Sequence, residues 1–324
     1  MAEITPGAGR ILVTGAGGFV GRALCATLQQ EQFTAIAALR RIPGGTGLAQ
    51  EIAVGDLGPD TDWQAALQDV GCVVHLAART HVLNDRSTDP LAEYRRINVV
   101  ATEHLARQAA RSGVRRFVFL SSIKVNGEAT STGPYSERDD PRPEDAYGIS
   151  KREAEDALCA IGSETGMEIV ILRPPLVYGP GVKGNFLQLL KAVAKGLPLP
   201  LASINNRRSL VYVGNLVDAI IACIRSPAAA GKSFLVSDGE DLSTPEMIRR
   251  LAMAMGRSPR LLPCPPALLA LAARLLGREA AFRRLSGSLA VDSSLLRETL
   301  GWQPRYSVNQ GFSATVQWYD RDEK

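Results

Sequence analysis

The chain has 324 residues, with 37 lysines and arginines against 33 acidic residues, a net charge of +4. Hydrophobic residues make up 45% and charged residues 22%, which excludes a disordered chain and provides for a sizeable core. The length suits about two domains, or one large α/β domain with an appendage. Residues 11–14 form a short apolar run ending at Gly15, a buried strand. Val20, Leu24 and Leu28 then mark one helix face. Residues 34–39, 51–54 and 72–76 are further apolar runs, and Trp63 with Leu67 predicts a short helix between the last two. Asp89-Pro90 opens a long helix that stops at Gly113. A fifth strand over 116–120, a helix over 147–163 and a sixth strand over 168–173 follow. Unbroken apolar strands separated by helices predict a doubly wound α/β fold, with a parallel sheet covered on both faces.

After Arg173 the rhythm breaks at Pro174-Pro175, Gly179-Pro180-Gly181 and Leu197-Pro198-Leu199-Pro200. Shorter elements follow: a helix over 186–195, a strand-to-helix unit over 209–225 and a strand over 233–236. Ser243 and Glu246 read as a capping box for a helix ending at Met255. The expected division is a dinucleotide-binding domain over 1–179 and a smaller α/β substrate domain over 180–324, with some strands returning to the first.

Cys25, Cys72, Cys159, Cys223 and Cys264 are odd in number and form no CxxC pair, so a reducing, cytoplasmic setting is expected. His75, His81 and His104 offer no metal site. Residues 1–6 lack the features of a signal peptide. Residues 267–276 are too short to span a membrane, follow Pro265-Pro266 and contain Arg274, which predicts an amphipathic or buried helix and no membrane insertion. The basic excess reads as a solvated surface spread along the chain, so nucleic acid is not an expected partner.

Gly15, Gly18 and Gly21 lie between the first strand and the first helix. Glycines there let backbone N–H groups, with Phe19 and Val20 opening the helix, approach a pyrophosphate. The second strand ends Leu39-Arg40-Arg41, with no carboxylate for ribose hydroxyls. A guanidinium suits a 2′-phosphate instead, so NADP(H) is the expected cofactor and NAD(H) the alternative. Asp56, followed by Leu57, is placed to accept from an adenine amino group. Tyr147 and Lys151 share one helix face. A phenol beside a cation can exchange a proton with a sugar hydroxyl or ketone. Ser122, at the end of the fifth strand, can orient the same oxygen.

These motifs together resemble the extended short-chain dehydrogenase/reductase family. The likeness runs through Gly15-x-x-Gly18-x-x-Gly21, Val74-His75-Leu76-Ala77-Ala78, Asn98, Ser121-Ser122, Tyr147-x-x-x-Lys151 and Arg173-Pro174-Pro175-x-x-Tyr178. It continues through Arg208-Ser-Leu-Val-Tyr-Val213, Asp292-Ser-Ser and Leu300-Gly-Trp-x-Pro304. The resemblance implies a Rossmann-like domain, a domain gripping a UDP-sugar, and a homodimer formed through two helices per subunit. It adds Ala77, Asn98 and Pro174 to the cofactor contacts. For substrate it implies Arg208 and either Arg284 or Arg283 on a diphosphate, with Lys124 and Asn185 as further contacts. The 4,6-dehydratases carry Asp-Glu where this chain has Ile123-Lys124, and an aliphatic side chain moves no proton. The segments 121–128 and 284–292 look most like reductases of UDP-4-keto-6-deoxy-N-acetylhexosamines in polysaccharide biosynthesis. A 4-ketoreductase is therefore the first expectation and a UDP-hexose 4-epimerase the alternative.

Overall fold

The computed structural model describes residues 9–42, 50–80 and 89–322. The reading of residues 1–6 and the residue His81 lie outside the described residues. In the first half, strands β1 (Arg10–Thr14), β2 (Ala35–Leu39), β3 (Gln50–Ala53), β4 (Val70–His75), β5 (Arg116–Leu120) and β6 (Glu168–Arg173) alternate with helices α1 (Phe19–Gln30), α2 (Pro90–Arg95), α3 (Ala101–Arg111) and α4 (Ala146–Thr165). The second half supplies strands β7 (Leu176–Tyr178), β8 (Arg208–Tyr212), β9 (Ser233–Leu235) and β10 (Asp241–Leu242). Its helices are α5 (Gly184–Ala194), α6 (Val213–Arg225), α7 (Thr244–Ala254), α8 (Pro266–Leu275), α9 (Glu279–Ser286), α10 (Ser294–Leu300) and α11 (Val308–Asp322).

The larger sheet runs β3-β2-β1-β4-β5-β6-β9, with all pairs parallel. From β1 the chain steps outward to β2 and β3, then returns to β4 on the other side. The connections at the carboxyl ends of β1 and β4 therefore part, leaving the crevice in which ligands sit in such sheets. Ile11 and Val13 face α1 and α6 with Leu24, Leu28, Ile220 and Ile224. Leu12 faces the other way, into the cluster of Leu105, Leu158, Phe117 and Phe119 under α3 and α4. Burial on both faces is why these strands read as unbroken apolar runs.

The chain beyond Gly179 is interleaved with the first half. Strand β9 extends the larger sheet beside β6. Buried Arg116 on β5 donates through Nη1 to the carbonyls of Cys223, Ile224 and Ser226 at 2.7, 2.8 and 2.9 Å, which fixes the end of α6. A three-stranded sheet, β10-β8-β7, and helices α5, α7 and α11 enclose a separate cluster around Tyr178, Phe186, Leu210 and Phe312.

Several local expectations hold. Asp89 accepts from the Ala92 amide at 3.0 Å, Ser243 accepts from the Glu246 amide at 3.2 Å, and the helical stretch after Asp89 stops at Gly113, which has φ +78°. Others need correction. Residues 64–69 form turns, not a helix; one helical turn has too few hydrogen bonds to offset its nucleation cost. The long helix after Asp89 is interrupted by a π turn at Arg96–Val100. Residues 176–178, within the proline- and glycine-rich stretch, form β7 paired with β8. Cys25, Cys72 and Cys223 are buried, whereas Cys159 is exposed. No helix among the described residues is long and apolar enough to cross a membrane.

Candidate active site

The turn after β1 is built for close approach. Gly15 has φ +68°, and a Cβ there would stand 2.7 Å from the Ala77 amide nitrogen, so glycine is needed for both reasons. A Cβ on buried Gly21 would collide with the Gly15 carbonyl and lie 2.7 Å from the Ala16 Cα. Packing of β1, α1 and the end of β4 thus demands two of the three glycines. Gly18 caps α1 without a side-chain hydrogen bond, and no acidic residue lies in the first turn. The first amides of α1, at Phe19 and Val20, are left without a side-chain acceptor, as an anion-binding helix start requires.

Beyond β2 an open cleft of about 460 Å³ is lined by Gly17, Leu39, Arg40, Arg41 and Asp56. Arg40 Nε meets Asp56 Oδ1 at 2.6 Å, with both side chains at least three-quarters exposed. The two residues expected to contact adenosine therefore pair with each other across the cleft. Leu57 packs against the core cluster below β2.

At the opposite end of the crevice, Ser122 follows β5 and Tyr147 opens α4. The Ser122 side chain is close enough to the Tyr147 phenol to act on it, and it favours ionisation. Burial and the nearby Asp145 carboxylate push the phenol well above its usual range, against the effect of Ser122. The phenol is thus held protonated. Lys151, one turn further, is buried. Its Nζ donates to the Leu120 carbonyl at 2.8 Å and lies 4.2 Å from the Phe119 ring centre. No carboxylate among the described residues forms an ion pair with it, and burial pushes the ammonium down to about 7 against the opposing charge of Glu155. The ammonium is aimed at the end of β5 rather than at the phenol that the sequence reading expected it to tune. Ser121 is buried, and its Oγ has no partner among the described residues. An unpartnered hydroxyl, uncapped helix amides and obligatory glycines together fit a dinucleotide in the crevice.

A supporting frame holds this face together. The π turn directs Asn98 inward, where Nδ2 donates to the Ser150 hydroxyl at 3.0 Å and the Arg79 carbonyl at 3.1 Å. Asn98 also accepts from the Arg79 amide at 2.7 Å. It therefore positions α4 and the loop after β4 through neighbouring groups. Pro174 accepts from the Ile123 amide at 3.0 Å, which anchors the segment carrying Ser122. Asp145 and Glu155 were not anticipated. Asp145 caps the helix of Tyr147 by accepting from the Gly148 amide at 2.7 Å; an Asp two residues before that tyrosine was the available signal. Glu155 pairs with Arg173, Nε to Oε1 at 2.9 Å and Nη2 to Oε2 at 2.6 Å. Arg173 Nη1 also donates to Asn126 Oδ1 at 3.1 Å.

The expected substrate contacts separate. Lys124 is engaged by Asp145 Oδ2 at 2.5 Å and Glu128 Oε1 at 2.7 Å, so its ammonium ties the Ser122 segment to α4. Arg208 is partly buried at the start of β8 and forms no ion pair among the described residues. Its Nη1 donates to the carbonyls of Arg284 and Gly287 at 2.8 and 3.0 Å. The Arg284 side chain itself is exposed, and Arg283 pairs with Glu279 at 2.7 Å. Asn185 is exposed at the start of α5.

The whole chain is similar to nucleotide-sugar enzymes of known name. The chain is 47% identical to a UDP-glucose 4-epimerase of Vibrio cholerae over 311 residues, covering 95% of this chain and 94% of that protein. It is 29% identical to a GDP-6-deoxy-D-mannose reductase of Pseudomonas aeruginosa, covering 96% and 98%. The solved structure of MoeE5 in complex with UDP-glucuronic acid and NAD superposes with a TM-score of 0.78 at 27% identity, covering 97% of this chain and 99% of that one. Residues 11–237 match the model of the NAD dependent epimerase/dehydratase family, and with a parallel sheet in this order and a Ser-Tyr-Lys face at its carboxyl edge, the chain belongs to that family.

Proposed function

We propose that the protein is a UDP-hexose 4-epimerase. The observation that carries this reading is the placing of Ser122 after β5 and of Tyr147 and Lys151 on α4 at the carboxyl edge of the sheet, in a chain 47% identical to a protein named UDP-glucose 4-epimerase. The comparisons support this reading better than the 4-ketoreductase placed first from sequence. The neighbour cited above holds NAD, which favours NAD over the expected NADP.

A bound nicotinamide supplies a reversible hydride acceptor for C4 and, when oxidised, a positive charge beside the phenol. With that charge beside it the phenol would lose its proton, and the Tyr147 phenolate then takes the proton from O4 as C4 becomes a ketone and returns it when C4 is reduced on its other face. Ser122 holds O4 by a hydrogen bond through both half-reactions. Hydride and proton are both returned, so the cycle has no net redox change. Lys151 Nζ holds ribose hydroxyls, and Arg208 holds the diphosphate.

The test is direct. Incubation with UDP-glucose is expected to yield its C4 epimer with no net change in nicotinamide absorbance. Stoichiometric NADPH oxidation by a UDP-4-keto sugar, with no epimer formed from UDP-glucose, would sink the proposal. One observation favours the ketoreductase as a second reading: Arg40 stands where NAD sites commonly carry a carboxylate. That reading requires tighter binding of NADPH than of NADH, and a preference that shrinks in Arg40→Ala.

Arg208→Ala is expected to raise KM far more than it lowers kcat. The diphosphate lies away from C4 and keeps its charge throughout, so its binding is uniform between ground and transition states. Steady-state kinetics at several UDP-sugar concentrations check this, and an unchanged KM would assign Arg208 to the structure alone.

Lys151 gives a pH dependence. Ribose hydroxyls accept from the protonated ammonium, so dinucleotide binding raises its pKa from about 7. Affinity is then full below that pH. It falls as pH rises through it, by up to about tenfold per unit. Fluorescence titrations across this range are expected to show the slope in the unmodified protein and to lose it in Lys151→Met.

A further inference from the structure

Helix α8 carries leucines where a surface helix ordinarily carries polar groups. None of its residues is buried. Leu268, Leu271 and Leu275 are spaced by three and four residues, hence on one face, and are 58%, 54% and 78% exposed. Leu276 next to them is 73% exposed. The helix is held to the body through Leu269, which packs on the cluster around Tyr178, as does Phe282 of α9. The outward leucines are therefore additional to those that fix the helix in place.

The charge distribution indicates what covers them. Residues 257–284 contain six arginines and one glutamate, a net of +5, whereas the whole chain carries +4. The remainder is thus net −1, so the basic excess is concentrated here and not spread along the chain. All six arginines are exposed. Arg283 pairs with Glu279, while Arg274, Arg278 and Arg284 form no ion pair among the described residues. Another copy of this face would set like charges against each other. An anionic lipid surface instead takes leucines into the acyl boundary and arginines among its headgroups.

We infer that α8 and α9 dock the protein on an anionic membrane surface. With ten residues, α8 lies in the interface plane rather than spanning it. The carbonyls of Arg284 and Gly287, at the end of α9, hold Arg208, so the docking face is continuous with the segment that positions this arginine.

Vesicle flotation of the full chain tests the inference. The protein is expected to float with phosphatidylcholine vesicles containing phosphatidylglycerol, and at least about tenfold less with phosphatidylcholine alone. The same loss is expected for Leu271→Asp/Leu275→Asp, which removes the apolar anchor, and for Arg274→Glu/Arg278→Glu, which reverses charge. Both pairs are exposed, so thermal midpoints should stay near that of the unmodified protein. If the leucine variant fails to fold, the arginine variant carries the test. Absence of flotation with anionic vesicles overturns the inference, as does flotation that neither variant reduces. Self-association that is lost in Leu271→Asp/Leu275→Asp, without vesicle binding by the unmodified protein, also overturns it and makes the face a contact between copies.

Discussion

Tyr147→Phe is expected to lose at least about 10²-fold in turnover, the lower end of the range for general acid–base catalysis. The ring still packs edge-on against Tyr94, with centres 6.1 Å apart, so the fold and the crevice persist. Only the phenolic hydroxyl disappears. Burial and Asp145 hold this phenol protonated until a dinucleotide binds; the Lys151 ammonium is engaged at the Leu120 carbonyl, and the Ser122 alcohol is too weak an acid and base to take over the proton exchange with O4. Dinucleotide binding is expected to stay near normal, which separates a chemical defect from a structural one. Initial rates of C4 epimer formation check the turnover, and fluorescence titration checks the binding. Turnover close to that of the unmodified protein would remove Tyr147 from the chemistry.

The largest loss of stability is expected at the buried pair beneath the site. Glu155 and Arg173 are 2% and 5% exposed. Their two-point contact joins α4 to the end of β6, and Asn126 extends it to the Ser122 segment. Glu155→Ala leaves the guanidinium buried with one neutral partner. Breaking such a pair from one side costs about 3–5 kcal/mol. For a chain of this size that corresponds to a fall in Tm of roughly 4–7 °C. Calorimetry and urea midpoints measure it. The double variant Glu155→Leu/Arg173→Met removes both charges at once and is expected to recover much of the loss, because buried ion pairs contribute little over apolar replacements. A Glu155→Ala protein as stable as the parent would mean that water or a side-chain shift satisfies Arg173.

The fold was legible because its signals are local and repeated. Gly15, Gly18 and Gly21 between an apolar run and a helical spacing are tied to the β1–α1 turn by backbone geometry, and the packing around Gly15 and Gly21 leaves no room for a Cβ. Runs such as 11–14 and 116–120 are apolar throughout because both sides of the sheet are covered. Tyr147 and Lys151 were found together because a spacing of four puts two residues on one helix face whatever the tertiary context. Ser122 was placed by its position at a strand end, which in a parallel sheet is the ligand edge.

What stayed hidden depends on partners distant in sequence. Lys124 was expected on substrate, yet it bridges Glu128 and Asp145, and Asp145 comes within reach only when α4 packs beside the segment after β5. Asn98 was expected on cofactor; the π turn aims its amide instead at Ser150 and at the backbone of Arg79. No periodicity announces one extra residue in a helical turn. Arg40 reads as a free guanidinium in sequence, but the sheet sets β2 beside β3 and brings it onto Asp56. Arg284 shows the same division, since its backbone, not its guanidinium, reaches Arg208. The leucines at 268, 271 and 275 suited an amphipathic or a buried helix equally, because spacing says which residues share a face and nothing about what that face meets. The sequence by itself determined the six strands of the first half and the glycine turn between β1 and α1, and it set Tyr147 and Lys151 on one helix face, all written in local spacing. The tertiary structure decided which charges are already paired, which amides point inward and which apolar face stays open, because those depend on neighbours that only packing brings together.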